Sequence, residues 1–258
     1  MESGVFEVVH VREIPPGVRL FTSRFVDEIK QSGTPQAYEK SRLVVRAYQD
    51  RDKENILVQS PTIQRISQRL LLAVTVLLWL TLYTRDIIQA YVQSTTRLNH
   101  LIFIKPPPEM GLPTNMVLQV VRPLYGVPEA GNHWYATYSN HFIKRLNMRP
   151  STYDPCLLIH NVDNVFGLIG MQTDDTIGPI DETFAKMEEE AMKEAGFPSK
   201  PRQALTTSSP INFNGGTITL CSNDERTITL NQVSRTNQRW AAWRQAKGGA
   251  RERPQPIA

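Results

Sequence analysis

The chain has 258 residues, 40% hydrophobic and 21% charged, which is enough to bury a sizeable core and argues against a long disordered polypeptide. A formal charge of +4 permits a polyanionic partner without requiring one. The two cysteines, Cys156 and Cys221, carry no CxxC or His-Cys spacing, so neither a disulfide framework nor a zinc site is indicated, and a reducing compartment fits best.

The first thirty residues alternate apolar with polar and charged groups, so no secretory leader is expected. Residues 1–58 predict short strands in "VFEVVHV" and "SRLVVRAYQ", between loops marked by Pro15, Pro16 and Gly17. A helix is predicted from about Thr62, after Pro61, to about Leu80. The apolar run "LLLAVTVLLWLTLY", Leu70 to Tyr83, is bounded by Arg69 and Arg85 and is shorter than the ~20 residues a bilayer needs. A buried helix is therefore expected there, and no membrane partner. Strand-like "LYTRDI" and "HLIFIKP" follow, then the surface loop "PPPEMGLPTN" and the strand "MVLQVVRPLYG". "PEAGNHWYATYSNHFIKRLN" has helical spacing. "CLLIHN" and "VFGLIGMQ", separated by "VDN", predict a hairpin. Asp181 is placed to cap the helix "ETFAKMEEEAMKEAG", with Gly196 and Pro198 to stop it. No internal repeat is present, and the element order predicts an α+β fold.

In "GLIGMQTDDTIG" two adjacent aspartates, Asp174 and Asp175, close a run that otherwise reads as a buried strand. Burying such a pair without compensation costs several kcal/mol, so a cation is the natural partner. Asp86 also ends an apolar strand and supplies a third carboxylate if the two strands are neighbours. Three carboxylates with no adjacent His or Cys suit Mg²⁺ or Mn²⁺ rather than Zn²⁺. Two such ions can activate an attacking oxygen and steady a leaving one in phosphoryl transfer. The pair also fits a solvated surface turn; the apolar approach to both sites favours the metal.

The motifs "YEKSRLVVRAYQD", "SPTIQRISQRLLLAV", "YTRDIIQAYVQ", "HLIFIKPPPEM", "LYGVPEAGNHWY", "YDPCLLI" and "MQTDDTIG" follow one another in the order found in copia-type retrotransposon reverse transcriptases. Over roughly Gly4 to Gln232 the chain resembles part of that family, in particular its fungal branch. The last motif stands where the family usually has Tyr-Val-Asp-Asp. The resemblance implies palm and fingers with an antiparallel sheet packed on helices and a thumb truncated or absent. Residues 1–60 would be a fingers-like segment, 61–232 the palm with a fingers part around 100–135, and 233–258 a disordered or divergent basic tail. It also implies an RNA-directed DNA polymerase using two Mg²⁺ or Mn²⁺ ions, with a primed RNA or DNA template and deoxynucleoside triphosphates as partners. The other parts of a Gag-Pol polyprotein would be further partners. The setting would be intracellular: cytoplasmic virus-like particles and the nucleus.

Residue by residue, the resemblance implies that Asp86 and Asp174 hold both metals and that Asp175 is the third carboxylate. Lys40 and Arg42 would neutralise the triphosphate. The backbone at Gln89 and Ala90 would face it, and Tyr91 would exclude a 2′-hydroxyl, although Tyr91 also fits a half-buried strand aromatic. Tyr125 and Gly126 would lie against nucleotide and template, with Pro128 standing where much of the family has a phosphate-contacting lysine. Phe213, Asn214, Gly215 and Gly216 in "FNGGTI" would position the primer end, or form an ordinary turn. Beyond Gln232 the resemblance fades, so weak and distributive activity is expected. A decayed, inactive fragment that at most binds nucleic acid is the alternative. An unrelated two-metal nuclease lacks a matched base beside the carboxylates.

Overall fold

The computed structural model describes residues 4–47, 59–221 and 227–232. The predicted basic tail and the end of the first fingers motif lie outside them. In chain order the elements are β1 (Phe6–His10), β2 (Leu20–Lys30), β3 (Tyr38–Val45), α1 (Arg65–Leu77), β4 (Thr81–Asp86), β5 (Ile102–Lys105) and β6 (Met116–Val120). Then come α2 (Ala130–Arg145), β7 (Arg149–Pro150), β8 (Leu157–Val162), β9 (Val165–Gln172), β10 (Asp175–Ile180) and α3 (Glu182–Ala195). The last are β11 (Gln203–Ala204), β12 (Ile211–Phe213), β13 (Gly216–Leu220) and β14 (Ile228–Gln232). The α+β class stands. One sheet has the order β1-β6-β5-β2-β3, a second β11-β4-β10-β9-β8-β7 and a third β12-β13-β14. All pairings are antiparallel except that of β2 with β5.

Local chemistry sets the second sheet. Asp163 and Asn164 both have positive φ (53° and 61°), the geometry of a two-residue turn that matches strand twist, and they join β8 to β9. Asp181 accepts from the Phe184 N–H at 2.7 Å to start α3, and Gly196 ends it in the left-handed region. α3 then buries Phe184, Ala185, Glu188, Ala191 and Met192, one face at helical spacing. The core under this sheet is aromatic: Trp134 stacks on Tyr138 at 4.8 Å, with Phe197 edge-on at 5.8 Å.

The first helix departs from expectation in its length and its burial. It begins at Arg65 rather than Thr62: Gln64 is still extended (φ −70°, ψ 150°), and the approach to it is tied to β9 by the Ile63 N–H on the Met171 carbonyl at 2.9 Å. It ends at Leu77 because Trp79 turns left-handed (φ 55°) and Leu80 N–H closes on the Thr75 carbonyl. The expectation of a buried helix is corrected: Ser67, Leu71 and Thr75 are buried, while Ile66 is 67% and Leu77 73% exposed. The apolar run is continuous in sequence, but a single sheet covers only one face of the helix. β2 has no counterpart in the sequence reading. Its residues "LFTSRFVDEIK" set Phe21, Phe25 and Ile29 on one face but interleave them with Ser23 and Asp27, and only Phe21 is buried, so the alternation is weak.

Candidate active site

β4 and β10 run antiparallel with Asp86 directly opposite Asp175. Residues paired in this way project to the same face of a sheet. Asp174 shares the turn from β9 to β10 with Thr173, whose φ is 53°. That turn is held from two sides: Ile87 N–H donates to the Asp174 carbonyl at 2.9 Å, and the Trp134 indole N–H to the Thr173 carbonyl at 2.8 Å. The pleat fixes the orientation. Asp175 pairs with Gln172 and Ile177 with Gly170, and a Cβ on Gly170 would meet Ile63 at 2.2 Å and Leu71 at 2.8 Å. Asp86 and Asp175 therefore share the face that carries α1.

The neighbours of these carboxylates, Arg85 and Thr176, face α3 instead. Arg85 donates in bidentate fashion to Glu188 (2.8 and 2.6 Å), and also to Glu189 (2.6 Å) and Ser199 (3.1 Å). Burial opposes the Arg85 charge, but the carboxylates of Glu188 and Glu189 raise its pKa above the ordinary guanidinium value. Arg202 adds a bond to Glu188 at 3.1 Å. One face of β4 is thus a buried ionic anchor and the other presents Asp86.

Burial and then the charges of Asp174 and Asp86 push the Asp175 carboxyl up to about 6. Asp174 is raised by burial and by Asp86, against the pull of Lys40 and Lys200. Lys200 forms an ion pair with Asp86, which raises its own pKa. It is held there by its backbone N–H on the Asp86 carbonyl at 2.9 Å and by the Ile87–Ser199 bridge. Among the described residues no three His, Cys, Asp or Glu side chains stand ready to hold one ion as placed.

A cavity of about 280 Å³ is lined by Lys40, Arg42, Gln89 and Tyr125 together with Phe25, Leu43, Leu124 and Met110. Arg42 donates to Glu28 at 3.1 Å and lies 5.9 Å over the Tyr125 ring. Tyr91 meets Tyr125 with ring centroids 5.0 Å apart at 60°. Both phenols are raised, by burial first and then by Asp174, which places Asp174 near both rings. Gln89 is left-handed (φ 54°) and exposed, and Ala90 is buried. Gly126 has φ 87°, and a Cβ there would lie 2.0 Å from the Val45 carbonyl. Its close neighbour in the fold is the chain's own third strand.

The predicted residues Asp86, Asp174, Asp175, Lys40, Arg42, Gln89, Ala90, Tyr91, Tyr125 and Gly126 thus come from four stretches of chain, 40–42, 86–91, 125–126 and 174–175. The "FNGGTI" stretch is a hairpin between β12 and β13, with Asn214 (φ 48°) and Gly215 (φ 76°) exposed at its turn. Phe213 is buried in the core shared with the second sheet, and Gly216 is buried beside Leu230. Lys200 escaped the sequence reading. It follows the helix stop "GFPS" with no period or motif, and only the β4 edge brings it to Asp86.

A family model described as reverse transcriptase (RNA-dependent DNA polymerase) matches residues 5–195. The chain is 25% identical over 183 residues to a retrovirus-related Pol polyprotein from transposon TNT 1-94 of Nicotiana tabacum, covering 68% of the chain and 13% of that protein. It is 28% identical over 138 residues to the truncated transposon Ty1-A Gag-Pol polyprotein of Saccharomyces cerevisiae, 53% of the chain and 11% of that protein. The Ty1-DR5 Gag-Pol polyprotein matches at the same identity over 7% of its length. The chain therefore spans about an eighth or less of these relatives. Among the described residues no helix is long and apolar enough to cross a membrane.

Proposed function

We propose, for a chain that belongs to the reverse transcriptase (RNA-dependent DNA polymerase) family and resembles its copia-type members, that these residues form the catalytic part of an RNA-directed DNA polymerase. The second sheet with α1–α3 is the palm, the first sheet the fingers, and the reaction is transfer of a deoxynucleotide to a primer 3′-hydroxyl on an RNA or DNA template. The observation that carries the reading is the β4–β10 register. It sets Asp86 opposite Asp175, with Asp174 in the adjoining turn near the Tyr91–Tyr125 pair and the cavity that Tyr125, Lys40 and Arg42 line.

The donor set is all oxygen and rich in charge, which fits Mg²⁺ or Mn²⁺. Two of the three carboxyls are raised by burial and mutual repulsion, so the site is short of positive charge. Asp86, Asp174 and Asp175 would hold the ions, with Asp86 giving up Lys200. When bound, the ions lower the pKa of the attacking hydroxyl and neutralise the departing pyrophosphate.

The chain's own groups do the rest. Lys40 and Arg42 bind the polyphosphate, with Arg42 already oriented by Glu28 and Tyr125. The backbone at Gln89 and Ala90 lies along it. Tyr91, braced on Tyr125, blocks a 2′-hydroxyl. The exposed Asn214–Gly215 turn steadies the primer end.

The test is extension of a primer on a homopolymer RNA template by the purified chain with Mg²⁺ or Mn²⁺. Product from the parent and none from Asp174→Asn or Asp175→Asn is expected; absence of product from the parent sinks the polymerase reading. A second reading, an inactive fragment that only binds nucleic acid, is favoured by the Lys200–Asp86 pair. Duplex binding without extension would select it.

A further inference from the structure

Away from those carboxylates, the most heavily bonded buried acid among the described residues is Glu129, which stands at the N-cap position of α2 without capping it and whose side chain is 1% exposed. Asn99 donates to it twice, from its backbone N–H at 3.1 Å and its side-chain amide at 2.6 Å. His100 Nδ1 lies 2.8 Å from one carboxylate oxygen and His133 Nε2 3.0 Å from the other. His133 Nδ1 in turn meets the Thr96 hydroxyl at 2.6 Å, and Thr95 N–H donates to Thr137 at 3.2 Å. Burial would raise the Glu129 carboxyl, but His133, Asn99 and His100 outweigh it and hold it below the ordinary range.

The position of this cluster gives it a role. Tyr91 lies four residues before Thr95, joined to it through a helical turn in which Ser94 N–H bonds the Tyr91 carbonyl at 3.1 Å. Tyr125 lies four residues before Glu129, joined through turns closed by Val127 and Ala130 N–H groups. The Glu129 carboxylate, four residues beyond Tyr125, therefore cross-links the two segments through Asn99 and His100, eight and nine residues beyond Tyr91, and through His133, which holds Thr96. Without that acid Asn99 and His100 lose their bonds to the start of α2 and His133 loses the partner that fixes it against Thr96, leaving the Thr95–Thr137 bond to hold the segment behind the 5.0 Å contact between Tyr91 and Tyr125.

We propose that Glu129 is a positioning residue for the nucleotide pocket, setting the spacing of Tyr91 and Tyr125 by binding segment 95–100 to the first turn of α2. The inference rests on reading that pocket as the nucleotide site. The test measures KM and kcat for a deoxynucleoside triphosphate in primer extension, with thermal midpoints, for Glu129→Gln, Glu129→Ala and Asp154→Asn. Asp154 is a control of the same kind, a buried carboxylate accepting backbone N–H groups of Gln64 and Cys156, but neither partner lies on a segment that carries Tyr91 or Tyr125.

The expected result is a KM raised about tenfold in Glu129→Ala and less in Glu129→Gln, with kcat changed by less than about twofold. Asp154→Asn should lower the thermal midpoint and leave KM unchanged. Equal KM in all variants, or a KM change in Asp154→Asn as large as in Glu129→Ala, would reduce Glu129 to a stability role and leave the polymerase reading intact. A parent chain that does not extend a primer overturns both.

Discussion

The ammonium of Lys200 lies on Asp86, the carboxylate that a metal would need, and the backbone of residues 198–200 is laced to β4 by N–H groups of Lys200 and Ile88. A cation so held competes with any ion. Lys200→Gln should therefore tighten Mn²⁺ binding to the metal-free protein severalfold by calorimetry; unchanged or weaker binding would mean that Asp86 is no ligand or that Lys200 swings away without cost. Asp175 gives a second reading of the same site through pH. Its folded pKa of about 6 stands above the ~3.9 of an unfolded aspartate, so its stabilising contribution is complete below the unfolded value and is lost as pH rises through about 6. The thermal midpoint of the metal-free protein should fall between about pH 4 and 7, and Asp175→Asn should remove part of that fall, as should added Mg²⁺. An identical slope in the variant would show that Asp175 is not perturbed. The three aspartates were legible because each interrupts an apolar run. Lys200 was not, since its partner is 114 positions away and nothing local marks it.

At the scale of elements, β4 is a strand with two duties, and the buried duty can be tested separately. Arg85 and Glu188 are each 4% exposed, so removing one strands the other in a dry interior. Arg85→Met should cost about 3–5 kcal/mol in urea unfolding, and Arg85→Met with Glu188→Leu should recover most of it. Equal losses in the two would show that packing, not charge pairing, ties α3 to the sheet. The hairpin of β8 and β9 was readable from "VDN", and α3 from Asp181 and Gly196, because turn and cap chemistry is local. The same reasoning failed for β2, where strand character comes from pairing with β3 along Ser23–Lys30 rather than from a buried apolar face. It also overextended α1: Pro61 announced a helix start, but the chain stays extended as far as Gln64, with the Ile63 N–H tied to the Met171 carbonyl. A tertiary hydrogen bond, invisible in sequence, fixes the approach to its start, and the left-handed Trp79 with the local Leu80–Thr75 bond ends it.

For the whole molecule the distribution of charge matters more than its total. Residues 233–258 hold Arg235, Arg239, Arg244, Lys247, Arg251 and Arg253 against Glu252 alone, a net charge of +5, so the preceding 232 residues sum to −1, not +4. On the proposed reading, residues 1–232, close to neutral, would attract a nucleic acid backbone only through local patches such as Lys40 and Arg42. Long-range attraction to a duplex must come from the last 26 residues. Each phosphate contact that releases a counterion contributes about −0.9 to the slope of log affinity against log salt. A chain ending at Gln232 should therefore bind a primer–template duplex more weakly at low salt and with a shallower slope, by up to about five units if every basic residue of the tail reaches a phosphate. The two chains should converge in affinity as salt approaches physiological strength, where charges beyond ~8 Å are screened. Fluorescence anisotropy of a labelled duplex across a salt series reads both quantities. Parallel lines would place the counterion release within the first 232 residues and remove the tail from the interface. A shallower line that still supports primer extension at high duplex concentration would separate attachment, supplied by the tail, from the geometry of transfer, supplied by β4 and β10.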